Sequence, residues 1–426
     1  METLLLFSAL IVLIMMSVPI GITLGLSTLL CLAFTTDIPL TILAQKSATG
    51  LDSFPLLAIP FFILAGTLMC NGGISRRLVN LAESLVGFIV GGLAMVTVLA
   101  CMFFAAISGS GPATVSAIGS FMVPSMKERH YDADFAAAIT AASGTIGVII
   151  PPSIPFVIYC VVAQASIGDM FIAGIIPGII IGAALMAVCY LTARKRNYLS
   201  STARPTFRAV AVAFREAVWA LFVPIIILGG IYGGIFTPTE AAVVAVVYSI
   251  LIGKFVYREL DGKALYECLR SAGLINGATE FMIGFSMAFA SYLSMAQIPA
   301  SIGAWLREFS ENPLVILMVI NVFLLVIGCF IDNIAAVVIL TPILLPVVKA
   351  LGIDPIHFGL IITVNLACGF ISPPYGINLF VASAISGESI ESISKAIIPS
   401  FLAMIVCLVL FTYFPVLSLG LLNVLR

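Results

Sequence analysis

Two short strings carry most of the polar chemistry in a chain that is otherwise nearly free of it. One is Ser108-Gly109-Ser110-Gly111-Pro112 and the other Asp332-Asn333, and each interrupts an apolar run near its middle. Hydroxyl, carbonyl and carboxylate oxygens in such a place can replace the water shell of a small cation. Asp332 is the one acid deep inside an apolar run, and an ionisable residue there points to function. Two further interruptions are the proline pairs Pro151-Pro152 and Pro373-Pro374. A proline pair stops a helix, because neither residue donates an N–H and the residue before proline is pushed toward extended geometry. The new helix ends expose N–H groups on one side and C=O groups on the other. In lipid such groups are costly unless they line a cavity or bind something. The N-terminal ends suit a carboxylate, and the carbonyl ends suit a dehydrated cation.

Each tip is therefore expected to face one break. The first site combines Ser108, Gly109, Ser110, Gly111 and Thr114 with Gly144, Thr145, Gly147, Pro151 and Ser153. The second combines Asp332 and Asn333 with Gly369, Ser372, Pro373, Tyr375, Gly376 and Asn378. Asp332 suits an ion site or a helix cap, two compatible roles. The small residues also suit close helix packing, and Tyr375 and Asn378 could equally serve only the backbone at the break. Glu240, in Thr237-Pro238-Thr239-Glu240, reads as a helix-start cap. Neither hairpin interior nor either proline break holds Lys or Arg. A bound anion would depend on helix N-termini, hydroxyls and a neighbouring cation, which is a physical route to coupling.

The elements that must position these residues follow from composition. Of 426 residues, 62% are hydrophobic and 9% charged, against about 45–50% and 25% in soluble domains. That excludes a soluble enzyme, a nucleic-acid binder and a disordered chain, and predicts an all-α polytopic membrane protein. Spans are expected at 3–34, 53–70, 170–193, 219–236, 239–257, 276–297 and 396–420. The stretches 86–126 and 313–348 read as re-entrant hairpins, and 134–165 and 356–385 as helices broken at the proline pairs. With the N-terminus cytoplasmic, 15 Lys and Arg fall inside and four outside (Lys46, Arg307, Lys349 and Arg426), as the positive-inside rule requires. Reading either hairpin as a through-going span damages that split. Nine crossings then leave the C-terminus outside. Segment 258–275 reads as an amphipathic helix on the inner leaflet or as a solvated loop.

A constant offset of 222 residues carries Pro124 onto Pro346, Lys127 onto Lys349 and Asp132 onto Asp354. It also carries Gly147 onto Gly369, Pro151-Pro152 onto Pro373-Pro374, and Ser110 onto Asp332. The charge-derived sidedness sets the matching segments in opposite orientations. This is an inverted-repeat architecture, used by many secondary transporters. The expected division is 1–193 for the first repeat, 194–236 for a connection and linking helix, and 237–426 for the second repeat.

Nine isolated Cys without a CxxC pair, and two His beside charged residues, signal no metal centre, cofactor or catalytic group. A channel is disfavoured because the polar residues cluster at helix breaks and form no continuous stripe.

Gly234-Ile235-Phe236-Thr237-Pro238-Thr239-Glu240-Ala241-Ala242 resembles a signature of the large membrane subunit of TRAP (tripartite ATP-independent periplasmic) transporters. So do Gly147-Val148-Ile149-Ile150-Pro151-Pro152-Ser153 and Phe330-Ile331-Asp332-Asn333-Ile334-Ala335-Ala336. The resemblance covers essentially the whole chain. It implies a bacterial inner-membrane subunit working with a separate small four-helix membrane subunit and a periplasmic substrate-binding protein. It implies sodium-coupled uptake of an organic acid, such as a C4-dicarboxylate or sialic acid, by an elevator motion. Sodium would be the coupling ion at the tips and breaks, with no other cofactor. Related tips read Ser-Asn-Thr, and this chain departs from that with Ser108-Gly109-Ser110 and Asp332-Asn333-Ile334. A stand-alone symporter or exporter of the same superfamily is the alternative.

Overall fold

The computed structural model describes residues 2–16, 18–36, 38–198, 205–310, 312–373 and 376–425. Among them every regular element is helical. The first interrupted run forms a hairpin of Gly92–Ser108 and Gly111–Glu128, whose arms pack on each other. The second forms Pro313–Gly328 and Asn333–Ala350. Its arms barely touch, and both lie against Pro355–Gly369. At the first proline pair the chain runs from Ala133–Gly144 through a 3-10 turn, Thr145–Val148, and resumes at Ile154–Ala163. At the second it stops at Gly369 and resumes at Ile377–Ser386. Several helices start where polar side chains satisfy free backbone N–H groups. Ser153, Ser166, Asp354 and Ser389 each accept from the first turn they precede. Thr237 and Glu240 close a full capping box, as the sequence suggests.

The offset of 222 persists in the helices. Gly111–Glu128 falls on Asn333–Ala350 residue for residue, and Ala133 falls on Pro355. Ile74–Val86, an amphipathic helix not foreseen in the sequence, falls on 296–308, where Ile298–Phe309 lies. The second halves of the broken helices exchange partners: Ile154–Ala163 packs on Asn333–Ala350, and Ile377–Ser386 on Gly111–Glu128. Each repeat thus closes the other's hairpin, which sets the two breaks near each other at the centre of the buried core.

Three expectations about the surrounding helices change. Segment 3–34 is not one span but two helices, Glu2–Met15 and Ile20–Thr35, folded side by side around Pro19. Proline at the second helix's N-cap accounts for the stop. These two helices fall by the same offset on the end of Phe207–Tyr232 and on Pro238–Val256, so the repeat begins near the start of the chain. The nine-crossing count does not follow, because the folded pair returns the chain to the side it came from. Segment 258–275 is neither a separate surface helix nor a loop. From Gly262 it continues unbroken into the span as Gly262–Met295, 34 residues or about 51 Å. Its interior has no proline to stop it. The chain then turns by 60° into the helix that starts at Ile298.

Candidate functional site

The first tip is built from backbone closeness. Gly109 takes a left-handed φ of +62° between the hairpin arms, a conformation that favours glycine. Its carbonyl accepts from the N–H of Ile154 at 3.2 Å, tying the tip to the restart of the broken helix. A Cβ at Gly109 would stand 2.9 Å from the Pro152 carbonyl oxygen. A Cβ at Gly147 would stand 2.5 Å from Thr114 Oγ1 and 2.6 Å from the Ser110 carbonyl oxygen. Gly111 and Gly144 face each other in the same way, with the Gly144 carbonyl 3.3 Å from a Cβ at Gly111. The hydroxyls are shared within the tip: Ser108 Oγ and Thr114 Oγ1 lie 2.8 Å apart, and Thr114 donates to the Ser110 carbonyl at 2.7 Å.

Three predicted members of this site face elsewhere. Thr145 donates to the Ala142 carbonyl and points to Met404 Sδ. Ser153 donates to the Val148 carbonyl at 2.6 Å, spanning the break, and caps the next helix. Pro151 is buried beside it and makes the interruption without offering a donor.

The second tip is built from charge and amide. Asp332 Oδ2 accepts from Ile334 N–H at 3.1 Å, and the carboxylate also faces the N–H groups of Asn333 and Ala335. Ser110, at the matching position, makes no such cap. Asn333 is 1% exposed, and neither atom of its amide has a partner among the described residues. Gly369 lies against the Gly328 backbone so closely that a Cβ would overlap it. Ser372 lies 2.9 Å from Cys329 Sγ. Gly376 closes the turn with its N–H on the Ser372 carbonyl at 3.0 Å, while Pro373 is exposed. Tyr375 and Pro374 lie outside the described residues.

Asn378 belongs with the first site more than the second. It is fully buried, and its amide donates to the Ala141 carbonyl at 3.0 Å while its Oδ1 has no partner. Phe370, from the second break, packs on Gly111. The two sites are thus joined through the crossing of the broken helices. Sequence reading misses Gly328 and Cys329, which no pattern distinguishes from their apolar run. It also misses Asn321, Asn365 and Thr412, a buried cluster linked by hydrogen bonds of 2.9 Å. Asparagine inside an apolar run is a readable signal there.

Two interlocked hairpins and two broken helices inside a frame of apolar helices define a polytopic, inverted-repeat membrane carrier. The family described as "Tripartite ATP-independent periplasmic transporter, DctM component" matches residues 7–417. The chain belongs to this family: it is a permease component and not an enzyme. It is 48% identical over 402 residues to the isethionate TRAP transporter permease protein DctMQ of Oleidesulfovibrio alaskensis, covering 94% of this chain and 63% of that one. This chain thus spans less than two thirds of that relative's length. It is 43% identical to the C4-dicarboxylate TRAP transporter large permease protein DctM of Pseudomonas aeruginosa, over 94% of both. It is 39% identical to the sialic acid TRAP transporter permease protein SiaT of Haemophilus influenzae, over 95% of this chain and 66% of that one. The fold is similar to that of the Alcanivorax borkumensis YdaH transporter, with a TM-score of 0.64 at 14% identity over 88% of each chain.

Proposed function

We propose that this chain imports a small organic anion driven by a sodium gradient, as the large membrane subunit of a tripartite system. Its relatives' names cover an isethionate, a C4-dicarboxylate and a sialic acid permease, all organic acids, and this chain's substrate falls in that class. The observation that carries the ion assignment is the buried, unpartnered amide of Asn333 beside the Asp332 carboxylate. A buried amide without partners costs about 1–3 kcal/mol, and a bound cation or carboxylate would supply what it lacks. Sodium suits the oxygen-rich tips, and its charge would offset that of the anion beside it.

The hairpins, broken helices, Ile167–Lys195 and Ile390–Tyr413 form the moving body of an elevator, and the outer helices its frame. The bond from Ile154 to Gly109 would keep tip and break together as they move. A small four-helix membrane subunit and a periplasmic binding protein complete the system. The greater length of the DctMQ and SiaT relatives supports a partner that can be fused.

The membrane is the bacterial inner membrane, with the basic residues on its cytoplasmic side. The pairs Arg196–Asp132, Arg129–Glu83 and Arg76–Glu259 each join residues that the charge reading places there. Because 2–35 folds back on itself, both termini face the periplasm in this orientation.

The test is uptake into proteoliposomes holding this chain and its small subunit, with binding protein added outside. Uptake of isethionate, succinate or sialic acid should follow an imposed sodium gradient. Equal uptake without binding protein would point to a stand-alone symporter. Uptake indifferent to sodium but driven by protons would remove the ion assignment.

A further inference from the structure

The two repeats differ at one lysine. The offset of 222 relates Lys127 to Lys349 and Gln164 to Ser386. In one pair, Lys127 Nζ donates to the Ser386 carbonyl at 2.5 Å, closing the C-terminal end of a broken helix. In the other, Lys349 makes no bond to Gln164 or to any described residue. Both line a cavity of about 560 Å³ instead. Gln297, Ser294, Pro346 and Ala300 contribute to the same walls. No carboxylate lines this cavity among the described residues.

The cavity sits where three chain turns meet: after the first broken helix, after the 34-residue helix, and after the second hairpin. The charge-derived sidedness puts all three on the outer face. That face carries both signs of charge, Asp52, Asp169, Glu240, Glu308 and Asp354 alongside Lys46, Arg307 and Arg426, so the lysine stands out by its acid-free surroundings and not by its charge alone. An unpaired ammonium in an acid-free, partly apolar recess, flanked by two carboxamides and a hydroxyl, matches a small organic anion. The ammonium would hold its carboxylate or sulfonate, and the amides its hydroxyls. A recess with one sign of charge raises the local concentration of counter-charged ligands.

We propose that the Lys349 cavity is an outer capture subsite for the anionic group of the substrate, occupied before the anion reaches the hairpin tips. This rests on the reading of an organic-anion importer with the basic loops inside. The tips hold no cationic side chain of their own, so a lysine at the mouth would attract the anion before it reaches the ions at the tips.

The experiment places a reporter cysteine at Ala300, exposed on the cavity wall, in the complex with its small subunit in right-side-out vesicles. Anionic (sulfonatoethyl) and cationic (trimethylammonioethyl) methanethiosulfonates, both membrane-impermeant, are added from outside. Labelling is measured over that of protein lacking the reporter. The ratio of anionic to cationic labelling rates should fall about threefold or more in Lys349→Gln, persist in Lys349→Arg, and shrink with added salt. Millimolar isethionate or succinate, without binding protein, should slow labelling with Lys349 and not with Lys349→Gln. An unchanged ratio in Lys349→Gln, or protection that survives it, overturns the subsite while leaving the transport reading intact. Reaction only when reagent reaches the opposite face overturns the sidedness and the subsite together.

Discussion

The two hairpin tips occupy matching places in an inverted repeat, yet they are made differently. The first is sealed: four glycines let its backbone touch the first break, and Ser108 and Thr114 satisfy each other. The second is polar and incompletely satisfied: Asp332 caps its helix, while Asn333 is buried with nothing to bond. The arms differ too, being packed together in the first hairpin and parted by Pro355–Gly369 in the second. One backbone plan thus supports a tip held by shape and a tip held by charge. Among the described residues of the candidate site, the unpartnered buried polar atoms are the amide of Asn333 at the second tip and Asn378 Oδ1 beside the first break, and the proposed ion reading gives the larger role to the former.

That contrast can be broken by substitution. The largest effects should come from the glycines. Gly369→Ala would drive a methyl group into the Gly328 backbone, which has no rotamer by which to yield. Uptake should be abolished and stability should fall by about 1–3 kcal/mol, read as thermal unfolding in detergent. Gly147→Ala should do likewise at the first tip, through Thr114 and the Ser110 carbonyl. Wild-type uptake in both would mean that close approach is not what holds the tips.

Next in size, Asp332→Asn should weaken sodium activation of uptake at least tenfold, with Ser110→Ala losing less. Equal sodium activation curves for the two variants and the parent would erase the proposed difference between the tips. A sharper form uses Asn333→Ala. Removing an unsatisfied amide should leave sodium-free thermal stability within about 1 kcal/mol of the parent, while the stabilisation gained on adding sodium should disappear. Retained sodium stabilisation would show that the amide is not part of the ion site.

The smallest effect lies outside the membrane. Asp132 accepts from Tyr198 at 2.6 Å and pairs with Arg196 at 2.6 Å. The Tyr198 hydroxyl and then the Arg196 guanidinium hold its carboxyl below the ordinary value of 3.8. Because the folded carboxyl titrates lower than that of the unfolded chain, its stabilisation is present above the ordinary value. It is lost as pH falls through the lower folded one. Asp132→Asn should therefore lower the melting temperature by about 1–2 °C near neutrality, a modest shift for a half-exposed pair. The gap from the parent should close as pH falls below the ordinary value of 3.8, and a gap that instead widens with acidification would contradict the assignment. Asp354, the matching acid, caps the helix at Pro355 through its own carboxylate, so its loss should act as the loss of a cap.

Much of the fold and of the candidate site is legible in the order of residues. Apolar runs, two polar tips, two proline pairs and a repeat are local or periodic properties. The capping box at Thr237 and Glu240 and the boundaries at Asp332 and Asp354 follow from side chains within a turn of the helices they start. The fold of 2–35 into two helices is less legible. Pro19 marks a stop, but whether the chain continues straight or doubles back depends on what lies beside it. Likewise Ile74–Val86 and Ile298–Phe309 are not foreseen as helices, because their short amphipathic patterns are weak beside the long apolar runs, and no pattern says where they pack.

By itself the sequence determined that this protein is an all-helical membrane chain whose two halves repeat, and it drew attention to two polar tips and two proline breaks as the candidate site. Hydrophobicity and proline geometry act over a few residues, and so can be read in order along a chain. Only tertiary packing decided which of those groups meet. It brought Asn378 to the Ala141 carbonyl across 237 residues, turned Thr145 away from its tip, and set Lys127 against a carbonyl while leaving Lys349 to a cavity. A hydrogen bond depends on distance and direction within a few tenths of an ångström, and no spacing along an apolar helix carries that information between helices.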